Sequence, residues 1–170
     1  MSIDYLIGSW KEIRNGFIDE VEQIPADQFD FRATPKTRSI AEVLQHVVES
    51  QKLLVGECCR EEPNLFRQSF ADHIKEYAPE VSAVKDKNGL IELMRMSMET
   101  AEATLRSHDG KFDQPIKRFD GKDMTKLQFL QFATAHEMYH RGQFTVFARL
   151  LNYEPVLTQR LNKFFAQQRA

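Results

Sequence analysis

The chain has 170 residues, of which 42% are hydrophobic and 28% are charged, with a formal net charge of -2. This composition is that of an ordinary globular protein, and the length suits one domain over residues 1–170. The small net charge gives no basic field for nucleic acid or anionic lipid. We therefore expect neither nucleic acid nor membrane as a partner.

The location of the protein is predicted from three further features of the sequence. No stretch approaches the ~18 apolar residues of a membrane span. The first residues, MSIDYLIGSWKEIRNGF, lack the apolar run and cleavage site of a signal peptide. The two cysteines, Cys58 and Cys59, are adjacent and provide no disulfide framework. These features predict a reduced, cytoplasmic protein.

Two helices are predicted in the first third of the chain. In the first, apolar residues three and four apart form one stripe before Pro25 ends the helix: Leu6, Trp10, Ile13, Phe17, Val21 and Ile24. In the second, Ser39 and Glu42 have the spacing of a capping box, and the helix is expected to continue to about Glu61. Its inward residues are Ile40, Val43, Leu44, Val47, Leu54, Val55 and Cys58.

Two more helices follow long connections. Residues 63–88 form a connection with room for a short helical piece. The third helix carries the stripe Ile91, Met94, Met98, Ala101, Leu105 and His108, and His108-Asp109-Gly110 ends it. Asp123 or Thr125 can cap the fourth helix, which extends to about Asn152. The tail VLTQRLNKFFAQQ can add a short C-terminal helix.

These elements predict an all-α fold, a four-helix bundle with long crossover connections. Crossovers of this length permit an up-up-down-down or related topology. No segment has the alternation or the turn residues that favour a strand.

Residues 136–140 match the HExxH pattern of zinc peptidases. The longer peptidase pattern requires a glycine where this chain has Gln143 and a third histidine where it has Val146. Such enzymes also hold the peptide along a sheet edge. A peptidase is therefore disfavoured.

The two histidines of this segment fall in the middle of the apolar arc of the fourth helix. That arc is formed by Phe129, Phe132, Ala133, Phe144, Phe147, Leu150 and Leu151. His136 and His140 lie about 40° apart around the axis, with Cβ atoms ~6 Å apart, so both rings can bind one ion. A lone buried histidine is more often satisfied by backbone or water. A pair on one apolar face favours a shared cation, which satisfies both rings.

The other histidines leave alternatives open. His46 lies at the flank of its helix's apolar arc, and both a surface position and a position facing the bundle interior fit it. His73 lies in the long connection and is expected at the surface. His108 is a weaker ligand candidate, because a histidine at a helix C-terminus also interacts favourably with the helix dipole.

Four neighbouring side chains are candidates for other roles. Glu137 lies at the margin of the apolar face, where it could orient a ligand or accept a proton; a solvated or salt-bridged glutamate is the ordinary alternative. Gln143 is on the side of His140 and could shape the site. Arg141 is a second candidate for shaping the site, but it points away from the histidine pair and could instead tie the helix to a neighbour. Cys58 and Cys59 are expected to be packing residues.

Two segments of the chain, in their order along the sequence, resemble motifs of the DinB-like superfamily. One is TRSIAEVLQHVVES, residues 37–50, and the other is HEMYHRGQ, residues 136–143. The resemblance implies a four-helix bundle, commonly a homodimer. It also implies a divalent metal ion (nickel, zinc or iron) on three histidines that match His46, His136 and His140.

The superfamily includes S-transferases and isomerases that use low-molecular-weight thiols, and proteins described as metal-dependent hydrolases. The resemblance thus implies an enzyme in which the metal activates a thiol or water to attack a small electrophilic substrate. The alternative is a non-catalytic metal-binding or stress-related interaction protein. Nothing in the sequence selects the metal.

Overall fold

The computed structural model of the chain describes residues 2–108 and 110–168, which fold into a helical bundle. The α-helices are α1 Ile3–Glu22, α2 Ile40–Cys58, α3 Phe70–Tyr77, α4 Lys87–Ser107, α5 Lys126–Leu150 and α6 Val156–Gln167. Short 3-10 turns occupy Ala26–Gln28, Leu65–Arg67 and Val81–Ala83. The four predicted long helices are confirmed, although α2 ends at Cys58 rather than near Glu61.

Helix starts follow the predicted caps. The Ser39 hydroxyl accepts a hydrogen bond from the Glu42 N–H at 3.2 Å, and the Glu42 carboxylate accepts one from the Ser39 N–H at 3.0 Å. Thr125, not Asp123, caps α5, in a second capping box with Gln128. His108 caps the C-terminal end of α4; Asp109 lies outside the described residues.

The four long helices pack with α1 diagonal to α2. The helices α1 and α5 are parallel, because the residue numbers of their contacting pairs increase together. Leu6 lies beside Thr134, and Arg14 lies beside Glu137. The helices α1 and α4 are antiparallel, because Arg106 pairs with Asp4 near the start of α1 and Arg95 pairs with Glu22 at its end. The helices α2 and α5 are antiparallel, and the bundle therefore has an up-down-down-up order.

The core is divided by a layer of polar side chains. One apolar cluster is centred on Phe17, Val47 and Phe144, and the other on Trp10, Leu53 and Phe129. Between them lie four buried polar residues, one from each long helix: Arg14, Gln51, Ser97 and Glu137. Buried charged groups require polar partners, and the four residues of this layer are partners for one another.

The first long crossover is held on α2 by a buried carboxylate. Glu57 accepts hydrogen bonds from Tyr77 Oη at 2.7 Å, Arg67 Nη2 at 2.9 Å and the Asn64 N–H at 2.8 Å. Burial would raise the pKa of Glu57, but these hydrogen bonds lower it overall. The crossover contains α3, which confirms the predicted helical piece.

The expected surface position of His73 is wrong. Its side chain is fully buried, and its Nε2 lies 3.1 Å from the carbonyl oxygen of Leu65. The ring packs on Tyr77, because α3 folds back onto α2 through the Glu57 network.

The second connection contains a β-hairpin that the sequence did not predict. The strand β1 (Pro115–Lys117) pairs antiparallel with β2 (Asp123–Thr125), with Ile116 opposite Met124. Gly121 takes a positive φ of 77° in the connecting turn, a conformation that favours glycine. Strands of three residues are too short to show an alternating pattern.

Helix α6 is attached to α1 by a buried acidic side chain. The Glu20 carboxylate accepts hydrogen bonds from the Val156 N–H at 2.9 Å and the Leu157 N–H at 3.2 Å, so it caps α6 from another helix. The predicted C-terminal helix is thus confirmed. Within the described ranges, no helix combines the length and apolar character needed to span a bilayer.

Candidate metal centre

Three imidazoles converge between α2 and α5. His136 Nε2 lies 3.2 Å from His46 Nε2 and 3.1 Å from His140 Nε2. One ligand nitrogen from each of the three residues falls within 4.8 Å of the others. The rings meet at interplanar angles of 74°, 75° and 80°. The structure therefore brings together the two histidines of the HExxH segment and His46 from the facing helix.

The spacing of these nitrogens suits a shared ion. Two nitrogens bound at ~2.0–2.1 Å to one tetrahedral ion lie about 3.3 Å apart, close to the 3.1 and 3.2 Å separations in the cluster. Among the described residues, the cluster contains three histidines and no fourth His, Cys, Asp or Glu. The donor set therefore leaves at least one coordination position without a ligand from these residue types.

Gln143 fixes the orientation of one ligand. Its Oε1 lies 3.0 Å from His140 Nδ1. Since an amide oxygen only accepts hydrogen bonds, Nδ1 carries the proton and Nε2 presents its lone pair to the cluster. On α2, Ser50 Oγ lies 3.5 Å from His46 Nδ1. Gln143 thus acts on a candidate ligand, which agrees with its predicted position on the side of His140.

The three imidazoles are held in their neutral form. Burial, followed by the positive charge of Arg38, lowers the pKa of His46 to about 3. Burial and the proximity of His140 lower the pKa of His136 to about 4, and burial also lowers the pKa of His140. Neutral imidazole is the form that binds a metal. Arg38 itself is exposed.

Glu137 occupies the polar layer rather than the margin of the apolar face. Its side chain is 2% exposed and forms a two-pronged ion pair with Arg14, whose Nη2 donates to Glu137 Oε2 at 2.8 Å while Nε donates to Oε1. Trp10 Nε1 also donates to Oε2, at 2.6 Å. Both carboxylate oxygens are occupied by structural partners, so the salt-bridged alternative is the one the structure shows.

The buried face of α5 is rotated from the predicted arc. Phe132 and Leu150 were expected inside, but they are 52% and 53% exposed. The buried positions instead include Leu130, Ala148 and Glu137. His136 therefore lies at the edge of the buried face and His140 within it. The predicted arc left out Glu137, because its burial depends on the pairing with Arg14, which hydrophobicity alone cannot indicate.

Arg14 is the principal residue that the sequence analysis missed. It also donates to the carbonyl oxygen of Met94 at 2.5 Å, to Ser97 Oγ at 2.9 Å and to Gln51 Oε1 at 3.0 Å. A signal existed, because Arg14 is four residues after Trp10 and three before Phe17, on the inward stripe of α1. Gln51 shares α2 with His46, so this network connects the helices that carry the candidate ligands.

The remaining candidates lie outside the cluster. Arg141 packs against Gly16 of α1, where an added Cβ would lie 2.5 Å from the guanidinium carbon, as its proposed helix-tying role requires. His108 Nε2 lies 3.1 Å from Lys126 Nζ. Cys58 is buried and Cys59 partly buried; Cys59 and burial raise the pKa of the Cys58 thiol, which stays protonated. Both cysteines have the expected packing positions.

The family of the chain is decided by a comparison with family models. The model of the DinB family matches residues 1–170. The chain belongs to the DinB family. Comparison with curated proteins gives no match.

Solved structures of other DinB-like proteins share the fold of this DinB-family chain. A DinB-like protein from Bacillus cereus is 17% identical, with a TM-score of 0.70 and coverage of 91% of this chain and 95% of that one. YfiT from Bacillus subtilis is 18% identical, with a TM-score of 0.69 and coverage of 89% and 88%. YfiT is described as "a probable metal-dependent hydrolase with an unusual four-helix bundle topology".

A more distant likeness is to the mycothiol-dependent maleylpyruvate isomerase. The identity is 10% and the TM-score 0.62, and the match covers 83% of this chain and 60% of the isomerase. At these identities the likeness establishes the four-helix bundle fold.

Proposed function

We propose that this DinB-family protein is an enzyme that holds a divalent metal ion on His46, His136 and His140. The convergence of three neutral imidazoles from two helices carries the proposal. A divalent ion held there supplies Lewis acidity toward a thiol or a water molecule. The reaction we propose is transfer of a low-molecular-weight thiol to a small electrophile, or hydrolysis of such a substrate.

The protein's own residues hold and orient the site. Gln143 fixes the tautomer of His140, and the polar layer fixes α5 against α1. The exposed guanidinium of Arg38 adds positive charge near the histidines, which attracts an anionic thiol or substrate. We assign no proton transfer to Glu137, because Arg14 and Trp10 occupy its carboxylate.

Two of the structural relatives support the choice of reaction. YfiT is described as "a probable metal-dependent hydrolase", and the isomerase is named for its dependence on mycothiol, a thiol. A donor set of three histidines is typical of catalytic zinc sites, whereas closed structural sites usually contain cysteine. That this protein uses a thiol and a small electrophile is part of the proposed function.

Metal analysis tests the site directly. Untagged protein is dialysed, loaded with Zn²⁺, Ni²⁺ or Fe²⁺, and its metal content is measured by elemental analysis. We expect near-stoichiometric metal in the wild type and in His73→Gln, since His73 lies outside the cluster. We expect loss of the metal in His136→Ala, because two nitrogens hold an ion much more weakly than three.

The outcomes separate the possible functions. Absence of metal from reloaded wild type would remove the enzyme proposal. Metal-loaded protein is then incubated with panels of thiols and electrophiles, and products are identified by mass spectrometry. Stoichiometric metal without metal-dependent conjugation or hydrolysis would favour the non-catalytic metal-binding protein.

A further inference from the structure

A cavity of about 200 Å³ lies beside the histidine cluster, between the β-hairpin connection and α5. Its floor is formed by Leu65 and Phe129, which are 1% and 2% exposed. Its apolar rim is formed by Phe119 and Phe132, which are 42% and 52% exposed, and by Met124. Exposed aromatic rings around an apolar floor are characteristic of a ligand site.

Phe132 belongs both to this cavity and to the surroundings of the histidines. Its ring centroid lies 6.3 Å from that of His136 and 6.5 Å from that of Phe129. A molecule bound against the ring of Phe132 therefore lies next to the candidate ligand His136. The cavity and the cluster are adjacent parts of one surface.

The opposite wall of the cavity is firmly supported. Phe119 packs edge-on against His73, with centroids 6.1 Å apart, and against Phe70 at 6.0 Å. His73 is fully buried and bonded to the crossover. The wall is thus supported before any ligand binds, which reduces the entropic cost of binding.

Charge selects the polar end of the ligand. At the rim, Arg118 Nε lies 3.3 Å from Asp120 Oδ1, so these two charges compensate each other. Near the histidines Arg38 contributes a positive charge, and a bound divalent ion would add two more. At His136, the histidine beside Phe132, the Glu137 carboxylate opposes the charge of Arg38, so the bound divalent ion is what would make this position favour an anionic group.

We propose that this cavity binds the aromatic ring of a small anionic substrate, such as an aromatic carboxylate, with the anionic group directed to the histidine cluster. The ring contacts Phe119, Phe129 and Phe132 in offset or edge-to-face arrangements. This inference names the substrate class of the proposed enzyme and rests on that function for the anionic group only. Binding of the aromatic ring is inferred from the residues that line the cavity and does not depend on the proposed function.

Benzoate is the probe that tests the inference. Zn²⁺-loaded protein, ¹⁵N-labelled, is titrated with benzoate while amide chemical shifts are followed by NMR. Acetate carries the carboxylate without the ring, and cyclohexanecarboxylate replaces the ring with a saturated one. We expect saturable benzoate shifts at Phe119, Phe129 and Phe132, with weaker binding of both comparison compounds.

Two variants localise the site. We expect Phe132→Ala to weaken benzoate binding about fivefold or more, as for the loss of one aromatic contact. Phe164→Ala is the matched control, since Phe164 on α6 is 53% exposed but lies outside the cavity lining. Both variants remove exposed side chains and should fold; metal content is measured in the same samples.

Several outcomes would overturn the inference: no saturable benzoate binding, equal binding of cyclohexanecarboxylate, or equal affinity in wild type and Phe132→Ala. Any of these with stoichiometric metal would leave the proposed metal site standing. A parallel titration of metal-free protein with benzyl alcohol tests the ring site alone. Benzyl alcohol binding at Phe132 in a protein that cannot retain metal would support the cavity and contradict the proposed enzyme.

Discussion

Glu137 shows how the same letters take different roles in different surroundings. In a zinc peptidase the glutamate of HExxH faces the metal and serves as a general base. Here Arg14 and Trp10 bind both of its carboxylate oxygens in the core. The two histidines of the motif keep the spacing for one ion, while the glutamate between them stabilises the bundle.

Replacing Glu137 with glutamine tests this structural role. The free energy of unfolding should fall by about 3 kcal/mol, because the Arg14 guanidinium would stay buried without its counter-charge. Urea denaturation at pH 7 measures the change. Glu99→Gln, an exposed glutamate of α4, is the control and should stay within about 0.5 kcal/mol of wild type. Unchanged stability with lost activity would instead make Glu137 a proton acceptor in the site.

Among the secondary-structure elements, the long helices were predicted from their caps and apolar stripes. The positions of the shorter elements depend on contacts between elements. The helix α3 and its crossover are held by the carboxylate of Glu57 and by close packing of Tyr77 on α2. At Gly56 an added Cβ would lie 2.5 Å from two ring carbons of Tyr77. That ring cannot move away freely, because its hydroxyl donates to Glu57 at 2.7 Å.

Gly56→Ala should therefore destabilise the protein. Alanine gains about 1 kcal/mol over glycine inside a helix, but overpacking against a fixed ring costs roughly 1–3 kcal/mol. We expect a net loss of about 1 kcal/mol by chemical denaturation. Gly8→Ala is the matched control, because Gly8 is also helical and has nothing within 4 Å of an added Cβ; it should stabilise the protein. A stabilised Gly56→Ala would show that α3 is loosely attached.

At the scale of the whole molecule, the polar layer sets how the helices meet. It joins all four long helices between the two apolar clusters, and it lies at the level of the histidine cluster on α5, where His136 and Glu137 are consecutive. The layer thus couples the packing of the bundle to the position of the candidate ligands. The homodimer and the cytoplasmic location stay predictions.

The histidine cluster should make the stability of the metal-free protein depend on pH. In the unfolded chain histidine titrates near pH 6.5, whereas the folded pKa is about 3 for His46 and about 4 for His136. The unfolded chain binds more protons in this window, so the free energy of unfolding should fall as the pH falls from 7 to 5. Urea denaturation across this range, above most carboxylate titrations, measures the slope.

The double variant His46→Gln/His136→Gln is the control for this prediction. It should show a shallower slope, because glutamine does not titrate. The same slope in both proteins would mean that other groups produce the pH dependence.

The helices and the paired histidines could be predicted from the order of the residues alone. Caps such as Ser39 with Glu42, and stripes such as Trp10, Ile13 and Phe17, depend on residues three or four apart, which are neighbours within one helix. The imidazoles of His136 and His140 are close for the same reason. The resemblance in residues 37–50 and 136–143 added His46, whose position on its own helix left both a surface and an interior location open.

Contacts between side chains of different helices could not be predicted and depend on how the helices pack in three dimensions. Arg14 and Glu137 are far apart in the chain, and their pairing buries Glu137, whereas Phe132 is exposed beside the cluster. The burial of His73, the hairpin and the capping of α6 by Glu20 have the same origin. Each depends on polar groups that find partners on other elements, and local spacing contains no information about those partners.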